Sequence, residues 1–144
     1  MKEKLLVSAC LLGENCKYSG GNNYTPAIEA LREKFDVIPV CPEQLGGLPT
    51  PRTPSERAGA RVLSRGGADV TEAFRQGAEK TLEIARESGA ARAVLQERSP
   101  SCGCRTIYDG TFSGTLIPGE GVTAELLRKH GVEVYGSSRP DRLT

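Results

Sequence analysis

The stretch that most constrains the fold is Leu5-Leu6-Val7-Ser8-Ala9-Cys10, an apolar run that ends on a thiol and then breaks at Gly13 and Asn15. A short apolar run bounded by turn residues reads as a strand buried on both faces, the pattern of a parallel sheet. The pattern recurs twice. Val37-Ile38-Pro39-Val40 runs into Cys41, and Ala93-Val94-Leu95 leads through Gln96-Glu97-Arg98 to Ser99-Pro100-Ser101-Cys102. Right-handed crossovers place the carboxyl ends of parallel strands on one edge, where open α/β sheets bind their ligands. The chain therefore delivers Cys10, Cys41 and Cys102 to one edge of one sheet.

The connecting segments fit that frame. Thr25 caps a helix with Pro26 at its first position, and Ile28, Leu31 and Phe35 supply its buried stripe. Pro42 to Glu56 carries Pro42, Pro49, Pro51 and Pro54 with Gly46-Gly47, which predicts a long shaped loop with no regular element. Arg61-Val62-Leu63 and Asp69-Val70 flank Gly66-Gly67 as a small hairpin. Thr71 caps a helix to about Ser88, with Phe74, Ala78, Leu82 and Ala85 on one face and Gly89 as its stop. Ile107 to Phe112 reads as a turn or short ribbon and Gly114 to Gly121 as a loop. Thr123 to Lys129 forms a last helix, Val132 to Tyr135 a fourth strand, and Gly136 to Thr144 a frayed tail. Strand–helix alternation thus predicts one α/β domain over residues 1–144, a three-layer Rossmann-like fold with a parallel sheet of about four strands.

Composition excludes several function classes. A formal charge of +1 gives no electrostatic footprint for nucleic acid or an anionic membrane. Aromatic residues make up only 5%, too few for a wide base-stacking platform. The first apolar run is too short to span a bilayer, and Met1-Lys2-Glu3-Lys4 feeds directly into it, unlike a removable leader. These features predict a cytoplasmic protein, and in that compartment the 5 cysteines argue for metal or catalysis over disulfides.

Several chemistries compete for the thiols. They could be small buried hydrophobes. Four thiolates would satisfy zinc, but structural zinc draws its ligands in close pairs, and the tight pair here is Cys102-Gly103-Cys104. An iron–sulfur cluster accepts thiolates gathered from separate strand ends, so spacing leaves zinc and iron–sulfur nearly level. A cysteine nucleophile like that of low-molecular-weight tyrosine phosphatases needs Cys-x₅-Arg. Cys16 stands six positions after Cys10, followed by Lys17, which lacks the guanidinium fork.

Three motifs in order are more specific. The first is Val7-Ser8-Ala9-Cys10-Leu11-Leu12-Gly13-x-x-Cys16-Lys17-Tyr18. The second is Pro39-Val40-Cys41-Pro42-Glu43-x-x-Gly46-Gly47-Leu48-x-x-Pro51-Arg52-x-Pro54-x-Glu56. The third is Ser99-Pro100-Ser101-Cys102-Gly103 with Ile107-Tyr108-Asp109-Gly110-Thr111-Phe112. Over nearly its whole length the chain resembles the thiouracil desulfidase family, formerly catalogued as a bacterial domain of unknown function. The resemblance implies a [4Fe-4S] cluster held by three cysteines, with one iron open to the sulfur of a thiolated pyrimidine. It also implies hydrolytic C–S cleavage without net redox change. Relatives that act on thiolated tRNA carry a second, fused domain. One departure stands in the first motif, where Lys17-Tyr18-Ser19-Gly20 replaces the usual Arg-Tyr-Asp-Gly.

Within that reading Cys10, Cys41 and Cys102, each following a strand, are the first-choice ligands; Cys16 is the replacement and Cys104 the bystander. Glu43, two residues past Cys41, is the candidate proton carrier, in an apolar setting that would raise its pKa. Ser101 is the candidate hydroxyl, with Ser99 as substitute should Ser101 face away. Arg52 and Glu56 read as a loop-bracing ion pair, and His130 as a structural residue at a helix end. The non-catalytic alternative is a site saturated by Cys10, Cys16, Cys41 and Cys102 around zinc or a redox cluster.

Overall fold

The computed structural model describes residues 2–138 and 140–143. Its centre is β1 (Glu3–Ser8), whose Leu5, Leu6 and Val7 are fully buried. β1 pairs in parallel with β2 (Phe35–Val40) on one side and β5 (Arg92–Leu95) on the other; β5 pairs in parallel with β8 (Glu133–Gly136). The order β2-β1-β5-β8 is a four-stranded parallel sheet, as the apolar runs predict.

Because side chains alternate along a strand, β1 feeds two cores. Leu5 and Val7 pack with Ile28, Leu31 and Phe35, under α1 (Pro26–Glu29) and its 3-10 continuation Ala30–Glu33. Leu6 packs with Leu82, Ala85, Ala124 and Leu127, under α3 (Thr71–Ser88) and α4 (Val122–Lys129). Helices thus cover both faces, giving three layers.

Several local expectations are corrected. The region 42–56 does contain regular structure: α2 (Pro42–Leu45) is one helical turn, with Pro42 at its first position. The expected hairpin at Gly66-Gly67 is present in short form: Leu63 and Asp69 make an antiparallel bridge, the Ser64 amide donates to the Ala68 carbonyl at 2.8 Å and the Val70 amide to the Val62 carbonyl at 2.9 Å. A longer hairpin, not expected, precedes it. It pairs β3 (Ser55–Ala58) with β4 (Arg61–Ser64) around Gly59, whose φ of 64° suits the first central position of a two-residue turn. A second hairpin, β6 (Thr106–Tyr108) with β7 (Leu116–Pro118), occupies part of the expected loop after Gly114. Neither Thr25 nor Thr71 caps with its side chain. Thr71 Oγ1 instead accepts from the Val62 amide at 2.8 Å, and Asp69 Oδ1 takes the Thr71 amide at 2.9 Å. The frayed tail is also corrected over the described residues: Gly136 ends β8, Pro140–Leu143 is a 3-10 turn, and Leu143 is buried against the Leu5 core. Residues 139 and 144 lie outside the described residues. Among the described residues no helix is long and apolar enough to cross a membrane.

α2, which follows Cys41, is seated on α3 by two glycines in contact. A Cβ on Gly77 would overlap the Pro42 carbonyl oxygen, and one on Gly46 would overlap the Ala73 carbonyl. Alanine in a helix interior normally gains up to about 1 kcal/mol over glycine. Here overpacking, at about 1–3 kcal/mol, opposes that gain and must also push α2 outward. Gly77→Ala is therefore expected to lower the midpoint of chemical denaturation, whereas an unchanged or raised midpoint would show that the two helices do not touch there.

Candidate active site

Cys10 lies in the 3-10 turn Ala9–Leu12 that leaves β1, Cys41 precedes α2 at the end of β2, and Cys102 lies in the loop after β5. The three strand ends meet, with Cys16, in the wall of one cleft of about 750 Å³. Cys104 is half-buried and outside the residues lining it. Cys16 is in side-chain contact with both Cys10 and Cys41, and Asn23 Nδ2 donates to Cys10 Sγ at 3.5 Å. Among the described residues no group of three or more His, Cys, Asp and Glu side chains closes around a single metal ion. Thiols delivered from separate strand ends along a cleft wall are the donor set that an iron–sulfur cluster accepts, whereas structural zinc draws its ligands in close pairs.

The protonation pattern follows from these contacts. A thiol held between two others has one proton to give. The Cys16 contact draws Cys10 and Cys41 well below the usual thiol range, while Cys16 itself is pushed far up. Burial pushes Cys102 up to about 12, against the hydrogen bond from Ser8. Burial also raises Cys104.

Arg52 organises the mouth of the cleft, with its side chain only 6% exposed. Its Nε meets Glu43 Oε1 at 3.2 Å, Nη2 donates to the Cys16 carbonyl at 3.0 Å, and Nη1 donates to Thr50 Oγ1 at 3.0 Å. The expected Arg52–Glu56 pair is thus replaced by Arg52–Glu43. Glu56 turns the other way, Oε1 accepting from the Gly110 and Phe112 amides at 3.0 and 3.1 Å. Glu43 does line the cleft, but beside a guanidinium and not in the apolar setting predicted for it.

Ser101 faces away from the cleft. It is buried, and its hydroxyl bonds Thr123 Oγ1 of α4 at 2.8 Å. It anchors the Cys102 loop: the Val122 and Thr123 amides at the start of α4 donate to the Pro100 and Ser101 carbonyls. Of these two serines, Ser99 is the one that lines the cleft. Its Oγ accepts the Ser101 and Cys102 amides at 3.1 and 3.0 Å, which fills both acceptor positions and leaves its O–H to donate. His130 sits at the end of α4, receiving a hydrogen bond from Arg86 at Nδ1 (3.1 Å), and is not on the cleft. Ser8, Asn23, Tyr108 and Phe112 also line it; the first, third and fourth stand within the sequence motifs but were given no role, and Asn23 stands outside them. Ser8 ends a strand beside Cys10, a position that flags it; Asn23 carries no such signal.

A lowered thiol pKa keeps the thiolate populated as pH falls. In metal-free protein, alkylation of Cys10 and Cys41 should persist to lower pH than alkylation of Cys104, and Cys16→Ala should move both onsets upward. Mass spectrometry across a pH series measures each thiol, and indistinguishable onsets for Cys10, Cys41 and Cys104 would contradict the Cys16 contacts.

Comparison with known proteins places this geometry. A solved structure described as the [4Fe-4S]-dependent thiouracil desulfidase TudS is 44% identical, covers 99% of this chain and 95% of its own, and superposes with a TM-score of 0.93. A Bacillus subtilis (strain 168) protein, "Uncharacterized protein YbbK", is 44% identical over 93% of this chain and 95% of that protein. The family model described as 2-thiouracil desulfurase matches residues 5–138. With its fold, its cysteine motifs and that match over nearly its full length, the chain belongs to the 2-thiouracil desulfurase family.

Proposed function

We propose that this chain is a [4Fe-4S]-dependent desulfidase that hydrolyses the C–S bond of thiouracil or a similar thiolated pyrimidine, releasing sulfide. The observation that carries the reading is the convergence of thiols from three strand ends on one cleft whose wall also holds a carboxylate and a free hydroxyl donor. It acts as one domain in the cytoplasm on a free small molecule; a net charge of +1 supplies no hold on nucleic acid.

The donor set fits the cluster. Cys10 and Cys41, drawn toward the thiolate, and Cys102 at the buried end are the ligands, with Cys16 as the replacement. When bound, the cluster supplies an open iron, a Lewis acid toward a thiocarbonyl sulfur. The protein supplies the proton traffic. Glu43 takes a proton from the attacking water and returns it to the departing sulfur, while Arg52 fixes the carboxylate's orientation. Ser99, not Ser101, donates its O–H into the cleft, its oxygen pinned by two backbone amides. Water and thiouracil thus become uracil and hydrogen sulfide with no change in oxidation state.

Two measurements test the assignment. Iron content after reconstitution should fall in Cys10→Ala, Cys41→Ala and Cys102→Ala and hold in Cys104→Ala; full iron in Cys41→Ala would transfer its role to Cys16. Glu43→Gln should retain the cluster while sulfide release per cluster drops by about 10²–10⁴, the contribution of a positioned general acid or base. An unchanged rate per cluster removes Glu43 from the mechanism.

A further inference from the structure

Among the described residues only two that are not glycine take a positive φ, Arg98 at 65° and Phe112 at 56°, and both line the cleft. The left-handed region is disfavoured for a bulky side chain, and such strain persists where the surroundings over-determine it. At Phe112 the cause is visible. Glu56, on β3, accepts both the Gly110 and the Phe112 amides on one carboxylate oxygen. Gly110, at φ 97°, packs so closely on Ala58 that an added Cβ would lie 2.7 Å from the Ala58 Cβ. The loop is also tied within itself. Asp109 Oδ1 takes the Thr111 amide and hydroxyl at 2.9 and 2.6 Å, and the Thr111, Ser113 and Thr115 hydroxyls form a chain at 2.6 and 2.8 Å.

This bracing fixes an aromatic ring at the cleft. The Arg65 guanidinium lies over it, 5.6 Å from the ring centroid. An aromatic ring has two faces, and a cation on one leaves the other for a planar π-system. We propose that Phe112 is the stacking platform for the pyrimidine ring, and that Glu56 is the positioning residue that holds Phe112 in its left-handed conformation. The inference rests on the desulfidase reading for the identity of the ring and adds a specificity determinant that does no proton chemistry. A platform fixed before the substrate arrives spares the ordering cost of binding. Stacking is tolerant of ring substituents, so the sulfur position is selected elsewhere in the cleft.

The test uses cluster-loaded protein, with steady-state sulfide release from thiouracil and calorimetric binding of the same compound. Phe112→Leu should raise KM by about 5- to 100-fold, the loss expected for one base–aromatic stack, with kcat and iron content unchanged. Phe112→Tyr should restore KM. Glu56→Ala should raise KM as Phe112→Leu does, the double variant should be no worse than either, and Glu56→Gln, which keeps an acceptor oxygen, should recover part of the loss. An unchanged KM and affinity in Phe112→Leu overturns the proposal, as does a loss of kcat or iron at constant KM, which would mark a merely structural loop. If the wild type binds thiouracil without turnover, the desulfidase reading falls while weakened binding in Phe112→Leu still supports the platform; if it does not bind, both fall.

Discussion

Parallel pairing of β1 on both of its edges is the constraint from which the site follows. A strand hydrogen-bonded to β2 on one side and β5 on the other has no solvent-facing edge, and the helices laid on both faces of the sheet bury its Leu5, Leu6 and Val7. Parallel neighbours also force every connection to cross over, bringing the carboxyl ends of β1, β2 and β5 out side by side. The cysteines follow those ends by two, one and seven positions, and the cleft opens between the loops that carry them. Its location follows from the sheet; its chemistry comes from what the loops place there.

Loops gathered from distant parts of a chain need something to fix them relative to one another, and Arg52 does this at one side of the cleft. One guanidinium bridges the Cys16 carbonyl, the Glu43 carboxylate and Thr50, joining the first and second motifs with charge-assisted bonds. A lysine, with a single point charge, could not span these three directions. The opposite wall is fixed differently. There the start of α4 receives the carbonyls of the Cys102 loop, and the buried Ser101–Thr123 hydroxyl pair closes the joint. A glycine at 121 is needed for that approach, since a Cβ would overlap the Ser101 carbonyl.

Where period and punctuation carry the signal, the fold was legible in the sequence. Four apolar strands, the long helix to Ser88 and the convergence of strand-end cysteines all follow from alternation between buried runs and turn residues. The β3–β4 hairpin was not legible in the same way, because Ser55-Glu56-Arg57-Ala58 has no apolar period and only Gly59 marks its turn. Ion-pair partners were not legible either. Glu56 is four residues from Arg52 and Glu43 nine, yet β3 carries Glu56 toward residues 110–112 while α2 brings Glu43 back to the guanidinium. Ser101 fails for a related reason: in the turn after Ser99 its side chain points to α4 and that of Ser99 to the cleft, a distinction that adjacency to Cys102 cannot make.

The distribution of strain separates scaffold from site. Among the described residues, every positive φ angle outside the cleft wall falls on a glycine, where the conformation costs little. The two non-glycine cases fall at the cleft, on loops that follow β5 and β6, and each therefore needs surrounding contacts to maintain it. Those contacts are polar and local: Glu56 beneath Phe112, and for Arg98 a parallel bridge to Ile107 of β6. A small domain with two compact cores can hold the Phe112 conformation because the loop that carries it lies outside both cores. The cores come from burial along β1 and its neighbours and take in Cys10, Leu11, Cys16 and Cys102 from the loops, whereas the segment from Asp109 to Thr115 is set by the hydrogen bonds of Glu56, Asp109 and its own hydroxyls. Substitutions in that segment can then change what the cleft accepts while leaving the sheet that positions the thiols intact.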